Sequence, residues 1–180
     1  MFLEFSPNGR FLAVGHGSPS LCLLDKTSGF YPKISDAMPT YPTSLVWETS
    51  KSFYVGLCDG RFVYYEIDLR GKQLVMGSID SRFRGAFPVT AIALNKESNI
   101  LAVSVGPEVY VFRRIHACEC VRGHSHPKTH VGQAKFCFVA NVSNRFNFKR
   151  DPGSPPPFPK SICFTVDNTL VVSLCRQHTA

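Results

Sequence analysis

LEFSPNGRFLAVG, residues 3–15, is the stretch whose reading decides the fold. A short run of β-formers ends at Phe5, a polar turn follows from Ser6 to Arg10, and apolar character resumes over Phe11 to Val14. Asn8-Gly9 within the turn tolerates positive φ and suits a tight hairpin between two strands. The same order of features returns in LVWETSKSFYVGL (45–57), IALNKESNILAVS (92–104) and ICFTVDNTLVVSL (162–174), with starts separated by 42, 47 and 70 residues. A unit that recurs in this way is a supersecondary module that needs its neighbours to bury its faces.

Working outward, the later copies use Lys51-Ser52, Ser98-Asn99 and Asp167-Asn168 at the turn, polar pairs with a weaker turn signal than Asn-Gly. Three copies continue into a third strand: LCLLD (21–25), FVYYEI (62–67) and VYVFRR (109–114). These follow Gly17-Ser18-Pro19, Asp59-Gly60 and Gly106-Pro107, of which Asp59-Gly60 is the strongest local hairpin signal in the chain. Apolar runs that are continuous rather than alternating predict sheets covered on both faces. No stretch carries a sustained 3.6-residue apolar stripe, so almost no helix is expected. The first two spacings match a four-stranded propeller blade, and the third leaves room for an insertion of some two dozen residues.

FSPNGRFLAVG resembles the strand-turn-strand signature of the WD-repeat β-propeller family, and Leu23-Leu24-Asp25 stands where that family places its Trp-Asp ending. Arg122-Gly123-His124 is similar to the Gly-His dipeptide near the start of a blade. The ending degenerates to Tyr65-Glu66 and Phe112-Arg113 in the later copies, so the resemblance rests on spacing and on the first copy. The fold it implies is all-β, a partial β-propeller of about three and a half four-stranded antiparallel blades. WD-like blades are expected over 1–115 and a His/Cys-containing polar insertion over 116–135. A β segment with a Pro-rich connector follows over 136–160, and the start of a further blade over 161–180. Three and a half blades cannot close a ring, which leads to the expectation of a fragment of a larger protein with apolar blade faces left open at both ends.

Composition narrows the function classes. The chain has 180 residues, 20 Lys+Arg against 13 Asp+Glu, and a formal charge of +7. Those charges are scattered, the longest basic pairs being Arg113-Arg114 and Lys149-Arg150, whereas nucleic-acid binding wants a clustered stripe. No apolar run approaches the roughly 20 residues that span a bilayer. Met1-Phe2-Leu3-Glu4-Phe5 has no secretory pattern. Seven cysteines, an odd number set mostly in apolar runs (Cys22, Cys58, Cys137, Cys163, Cys175), read as buried thiols in a reducing compartment. An intracellular protein, cytoplasmic or nuclear, is expected.

Candidate sites are sparse. IHACECVRGHSHPKTHVGQAK (115–135) holds four of the six histidines, and Cys118, Cys120, His124 and His126 are zinc-ligand types. Their spacing is wrong for a finger, so an exposed polar loop is expected there, with no metal and no cofactor. Lys149, Pro152 and Pro155 have the spacing of a basic PxxP ligand for an SH3-type groove, although a stiff inter-blade connector accounts for the same prolines. Phosphate-cradling glycine loops, Gly-x-Ser-x-Gly, HExxH and paired acids do not occur. The resemblance therefore implies a non-catalytic protein-interaction scaffold with other proteins as partners. A nucleic-acid- or chromatin-associated propeller subunit and a propeller-based enzyme are the alternatives. The scaffold's contact loops would include 16–20, 58–61 and 105–108 and the long insertion, with Tyr31, Tyr41 and Phe83 as aromatic anchors or as packing between blades.

Overall fold

A computed structural model describes residues 2–70, 72–80, 83, 87–115, 135–142 and 158–175, with backbone only at 31–33, 78–80, 114–115 and 135–138. The strands fall into four antiparallel meanders. The first sheet holds β1 (Phe2–Phe5), β2 (Phe11–Gly15), β3 (Ser20–Asp25) and β4 (Tyr31–Ala37). The second holds β5 (Pro42–Trp47), β6 (Ser52–Leu57), β7 (Phe62–Asp68) and β8 (Gln73–Asp80). The third runs from β9 (Val89–Asn95) through β10 (Ile100–Val105) and β11 (Glu108–Ile115) to β12 (Lys135–Asn141). A two-stranded sheet of β13 (Phe158–Phe164) and β14 (Leu170–Cys175) completes the set. The first strands β1, β5, β9 and β13 are neighbours in that order, so the sheets stack face to face around an inner row of strands.

This is the expected all-β architecture. Apart from the single 3₁₀ turn Lys26–Ser28, the described elements are strands. Among the described residues no helix is long and apolar enough to cross a membrane. The second strand of each repeat and the three expected third strands fall where the sequence put them; of the β segment expected from 136 onward, the strand covers Lys135–Asn141 and residues 143–148 lie outside the described residues.

Alternation explains why the strands read as unbroken apolar runs. Successive side chains leave a strand on opposite faces, and each inner sheet has a neighbour on both. All six residues of β6 are buried. Phe53, Val55 and Leu57 join the core against the first sheet, while Tyr54 joins the core against the third. The third core is smaller and joins Ala91, Ala93 and Ala102 to Ile162, with Phe164, Leu170 and Val172 alongside.

Register shows that each sheet has two unlike faces. On the second sheet, Leu45, Trp47, Phe53, Val55, Val63 and Tyr65 are cross-strand neighbours that face the preceding sheet. Ile92, Leu94, Leu101, Val103, Tyr110 and Phe112 do the same on the third. The opposite face mixes small and large groups on the first two sheets, Ala13 and Gly15 beside Phe11, Leu21 and Leu23 on the first and Gly56 beside Tyr54 and Phe62 on the second, whereas Ala91, Ala93 and Ala102 line it on the third. Gly56 is required, since a Cβ there would collide with the Val89 side chain across the seam.

One alignment made from sequence alone shifts by a residue. Phe5 pairs with Leu12, but Trp47 pairs with Phe53, because the turn of the second sheet is one residue shorter. Phe53 therefore occupies the place of Leu12 rather than that of Phe11. The turns at 98–99 and 167–168 are also more committed than their residue types suggested, since Asn99 and Asn168 both hold positive φ, 54° and 65°. Asn accepts this left-handed conformation better than any other residue with a side chain.

The cysteines need correction. Cys22 and Cys58 are half-buried, and Cys163 and Cys175 are exposed rather than buried. They point to the face of the two-stranded sheet turned away from the third core. Cys137 belongs to β12, where only the backbone is described.

Candidate partner-binding surface

The Asp59-Gly60 hairpin organises one end of the stacked sheets. Gly60 sits at φ 86°, which L side chains avoid. Asp59 receives two bonds from the following arginine: Arg61 Nε donates to Oδ2 at 2.7 Å and the Arg61 backbone N–H to Oδ1 at 3.3 Å. Arg61 Nη2 lies 2.6 Å from the same carboxylate. Burial raises the Asp59 carboxyl, and the Arg61 bonds outweigh it, leaving the group below the ordinary carboxylate range. A charged clip thus holds the turn shut.

Two exposed aromatics flank that clip. The Cys58 backbone N–H donates to the Tyr41 carbonyl at 2.9 Å, and Cys58 Sγ meets Thr40 Oγ1 at 3.1 Å. This fixes Tyr41, half exposed, on one side. On the other, the Phe87 carbonyl oxygen crowds Gly60 and the Phe87 ring lies over Gly106. Gly106 N–H donates to the Pro88 carbonyl at 3.2 Å, tying the next hairpin to the same loop. Phe87 is 51% exposed against 50% for Tyr41, so two large aromatic residues are each half open to solvent beside the hairpin. Large exposed rings on rigid loops are the features that anchor protein interfaces.

The sequence-derived candidates separate here. Tyr41 lies on this surface. Phe83 is half-buried and stacks on Tyr110 at 4.2 Å, with Phe112 at 6.2 Å, within the second core. Tyr31 opens β4, and only its backbone is described. Lys149, Pro152 and Pro155 lie outside the described residues, as do Cys118, Cys120, His124, His126 and the Gly123-His124 dipeptide. Phe87 was missed: a Phe before a Pro in a loop belongs to no periodic pattern, and only the fold brings it beside Gly60. Of the loops proposed for contact, 16–20 is internally bonded, with Ser18 Oγ 3.1 Å from His16 Nδ1 and 2.7 Å from Ser20 Oγ.

A second feature lies at the opposite end of the second sheet. Glu48, Thr49, Lys51, Ser52, Tyr64, Glu66 and Ile67 line a groove of about 410 Å³. Tyr64 OH donates to Glu66 Oε1 at 2.9 Å, and Ser52 Oγ to Glu48 Oε2 at 3.4 Å. Burial pushes the Tyr64 phenol above its ordinary value, with the bond to Ser52 opposing it and the bond to Glu66 adding to it, so it stays protonated and able to donate. The groove is a hydrogen-bonded polar cleft with two carboxylates against one ammonium. The described residues hold no cluster of three or more His, Cys, Asp or Glu arranged to take a metal ion.

The Leu24-Asp25 ending has a structural task. Asp25 is fully covered and accepts from Arg10 Nη2 at 3.1 Å, Thr27 N–H at 2.9 Å and Thr27 Oγ1 at 2.7 Å. It caps the 3₁₀ turn after β3. The Arg10 bond is the largest influence on its carboxyl, which is lowered to about 2.

No family model matches the chain, and no curated protein sequence does. Solved structures do. A chain of the crystal structure of a mitotic checkpoint complex matches over 95% of this chain and 44% of its own, at 10% identity and TM-score 0.64. The β-propeller domain of Myceliophteria thermophila Cps50 (Swd1) matches over 98% of this chain and 50% of its own, at 15% identity and TM-score 0.63. These belong to 290 matching chains, so the likeness is to a widely used fold rather than to one protein. The fold is that of a β-propeller, with three four-stranded blades and two strands of another among the described residues. The chain spans about half the length of the propeller chains it matches.

Proposed function

We propose that this chain is a non-catalytic protein-interaction scaffold of WD-repeat type, and that the end carrying Tyr41 and Phe87 is its contact surface. The observation that carries the reading is the pair of exposed rings held on either side of the Asp59–Arg61 clip. The Tyr41 backbone is bonded to the Cys58 N–H and the Phe87 ring packs over Gly106, so neither residue needs its backbone reordered to engage a partner. The propeller fold supports the reading because its turns project from a stiff stack of sheets. It does not select the partner, since one fold hosts many tasks.

Affinity capture from a cell extract tests the proposal, with the chain and its Tyr41→Ala/Phe87→Ala variant as baits. Loss of two anchor rings costs about 2 kcal/mol or more at an interface, a drop of at least tenfold in recovery. A set of proteins recovered by the unaltered chain and lost by the variant, with unchanged melting temperature, supports the proposal. Equal recovery by both baits overturns it.

A further inference from the structure

Asn8-Gly9 is the one place in the sequence where an asparagine precedes a glycine; the other asparagines are followed by Lys96, Ile100, Val142, Arg145, Phe148 and Thr169. Such a pair carries a reaction that needs no enzyme. The Gly9 amide nitrogen, once it gives up its proton, attacks Asn8 Cγ. A nitrogen–Cγ bond forms, the Cγ–Nδ2 bond breaks, and ammonia leaves with the proton. Water then opens the five-membered imide, its hydroxyl going to one carbonyl carbon and its hydrogen to the ring nitrogen. Opening on one side gives aspartate. Opening on the other gives isoaspartate, whose backbone runs through the former side chain. Glycine favours the attack because it has no side chain to obstruct the approach.

The closed turn opposes this chemistry. Gly9 N–H donates to the Ser6 carbonyl at 2.8 Å, so the attacking nitrogen keeps its proton and is bonded elsewhere. Asn8 Oδ1 accepts from Ser6 Oγ at 2.8 Å and from Arg10 N–H at 3.1 Å, which holds the amide in place. Ser6 Oγ in turn accepts from Phe11 N–H at 2.9 Å, and Ser6 is 3% exposed, so the group that holds Asn8 is itself fixed under the hairpin. The two donors also polarise the Asn8 carbonyl, but that gains nothing while the nitrogen remains protonated. Asn8 itself is exposed, so water reaches it as soon as the bonds part.

The Asp59-Gly60 turn is closed to the same cyclisation by different means. An aspartate forms the imide from its neutral acid, and Arg61 Nε at 2.7 Å keeps the Asp59 carboxyl ionised. Gly60 N–H also donates to the Leu57 carbonyl at 3.2 Å. Asn8 has no charge to protect it, and its protection lies wholly in the hydrogen bonds of the folded turn.

We propose that Asn8 is a deamidation site gated by the fold, protected while the β1–β2 hairpin is closed and converted when it opens. The two products differ in what they allow afterwards. Aspartate keeps the length of the side chain and takes the same bonds from Ser6 Oγ and Arg10 N–H. Isoaspartate adds a carbon to the backbone before Gly9, so Gly9 N–H no longer meets the Ser6 carbonyl and the register that pairs Phe5 with Leu12 is lost. A chain whose first hairpin has opened is thereby marked, and the isoaspartate form cannot close it again.

Peptide mapping by mass spectrometry tests the proposal on the full chain, incubated at mildly alkaline pH in native buffer and in denaturing urea. A synthetic peptide of residues 3–15, run in both solvents, corrects for any effect of urea on the chemistry itself. After that correction, conversion at Asn8 should be about tenfold slower in the native chain, the ratio that hydrogen bonds of ordinary strength impose. Ser6→Ala removes the donor to Asn8 and should bring the native rate toward the urea rate; the comparison on the unaltered chain stands even where this variant fails to fold. Amide hydrogen exchange then separates the products: protection at Ser6 and Phe11 should be retained in Asn8→Asp and fall at least tenfold in the isolated isoaspartate chain. Equal corrected rates in the two solvents, or faster conversion in the native chain, overturn the proposal. So does an isoaspartate chain that keeps full protection at both amides.

Discussion

The first and third seams solve the same packing problem with different materials. Between the first and second blades, Trp47 meets Phe53 edge-on at 4.9 Å, Phe53 stacks on Tyr65 at 6.0 Å, and Trp47 Nε1 donates to the Glu4 carbonyl at 3.3 Å. Between the third and fourth, alanines receive Ile162 and its neighbours, and a side-chain amide bond from Asn95 to Asn168 supplies the polar tie. The aromatic seam buries many large groups, whereas the alanine seam depends on close approach. What is constant is bulk on the face toward the preceding blade; the face it meets carries Phe11, Leu21 and Leu23 in the first seam, Tyr54 and Phe62 in the second, and only alanines in the third.

The largest expected break in that comparison is Trp47→Ala. It leaves a cavity and strips the Glu4 carbonyl of its donor, and destabilisation of about 3–5 kcal/mol is expected by urea denaturation. The alanine seam should fail in the opposite sense. Ala102→Leu adds volume where Ala102 has no exposed surface and should cost about 1–3 kcal/mol, whereas leucine in place of Val55 in the aromatic seam should cost no more than that.

Asp25→Ala removes the charge-assisted bonds to Arg10 and the cap on the 3₁₀ turn, and a loss of about 2 kcal/mol is expected. Its pH dependence has a definite sign. The folded carboxyl is lowered to about 2 from an ordinary 3.8, so the contribution is complete above about pH 4 and fades as the pH falls toward 2. Acid titration of thermal stability should show a component in that window that Asp25→Asn abolishes. The smallest effect is Ile162→Val in the alanine seam, about 1 kcal/mol, and equal melting temperatures for variant and parent would show that this seam adds nothing.

The repeats were legible because every blade must place a polar turn between two apolar strands, and 3–15 states that pattern in full. The outer strands β4 and β8 were not located. YPKISDA and QLVMGSID carry no clean alternation, since an outer strand has water on its free edge, where Gln73 is tolerated, and since Asp36 is held by the Leu74 backbone N–H of the next blade rather than by any pattern in its own strand. The one-residue offset of the second blade was hidden because Phe11 and Phe53 are the same residue type at the same linear position. Of the surface, Tyr41 was visible as an aromatic in a loop. Phe83 was visible too, but its sequence does not reveal that Tyr110 and Phe112 lie beneath it. Phe87 becomes a feature only when the hairpin at Gly60 is brought beside it.

The unlike faces of each blade have a consequence for how such a molecule changes over generations. Every sheet carries one half of a junction on each side, so a duplicated or deleted blade leaves the hydrogen-bonded sheets whole, and only the side chains of the newly meeting faces, such as those around Gly56 and Val89, must be refitted. Lineages of this architecture can therefore lengthen or shorten by whole units with repacking confined to the seam that is created, and the inheritance of each junction is local to about 45 residues of sequence.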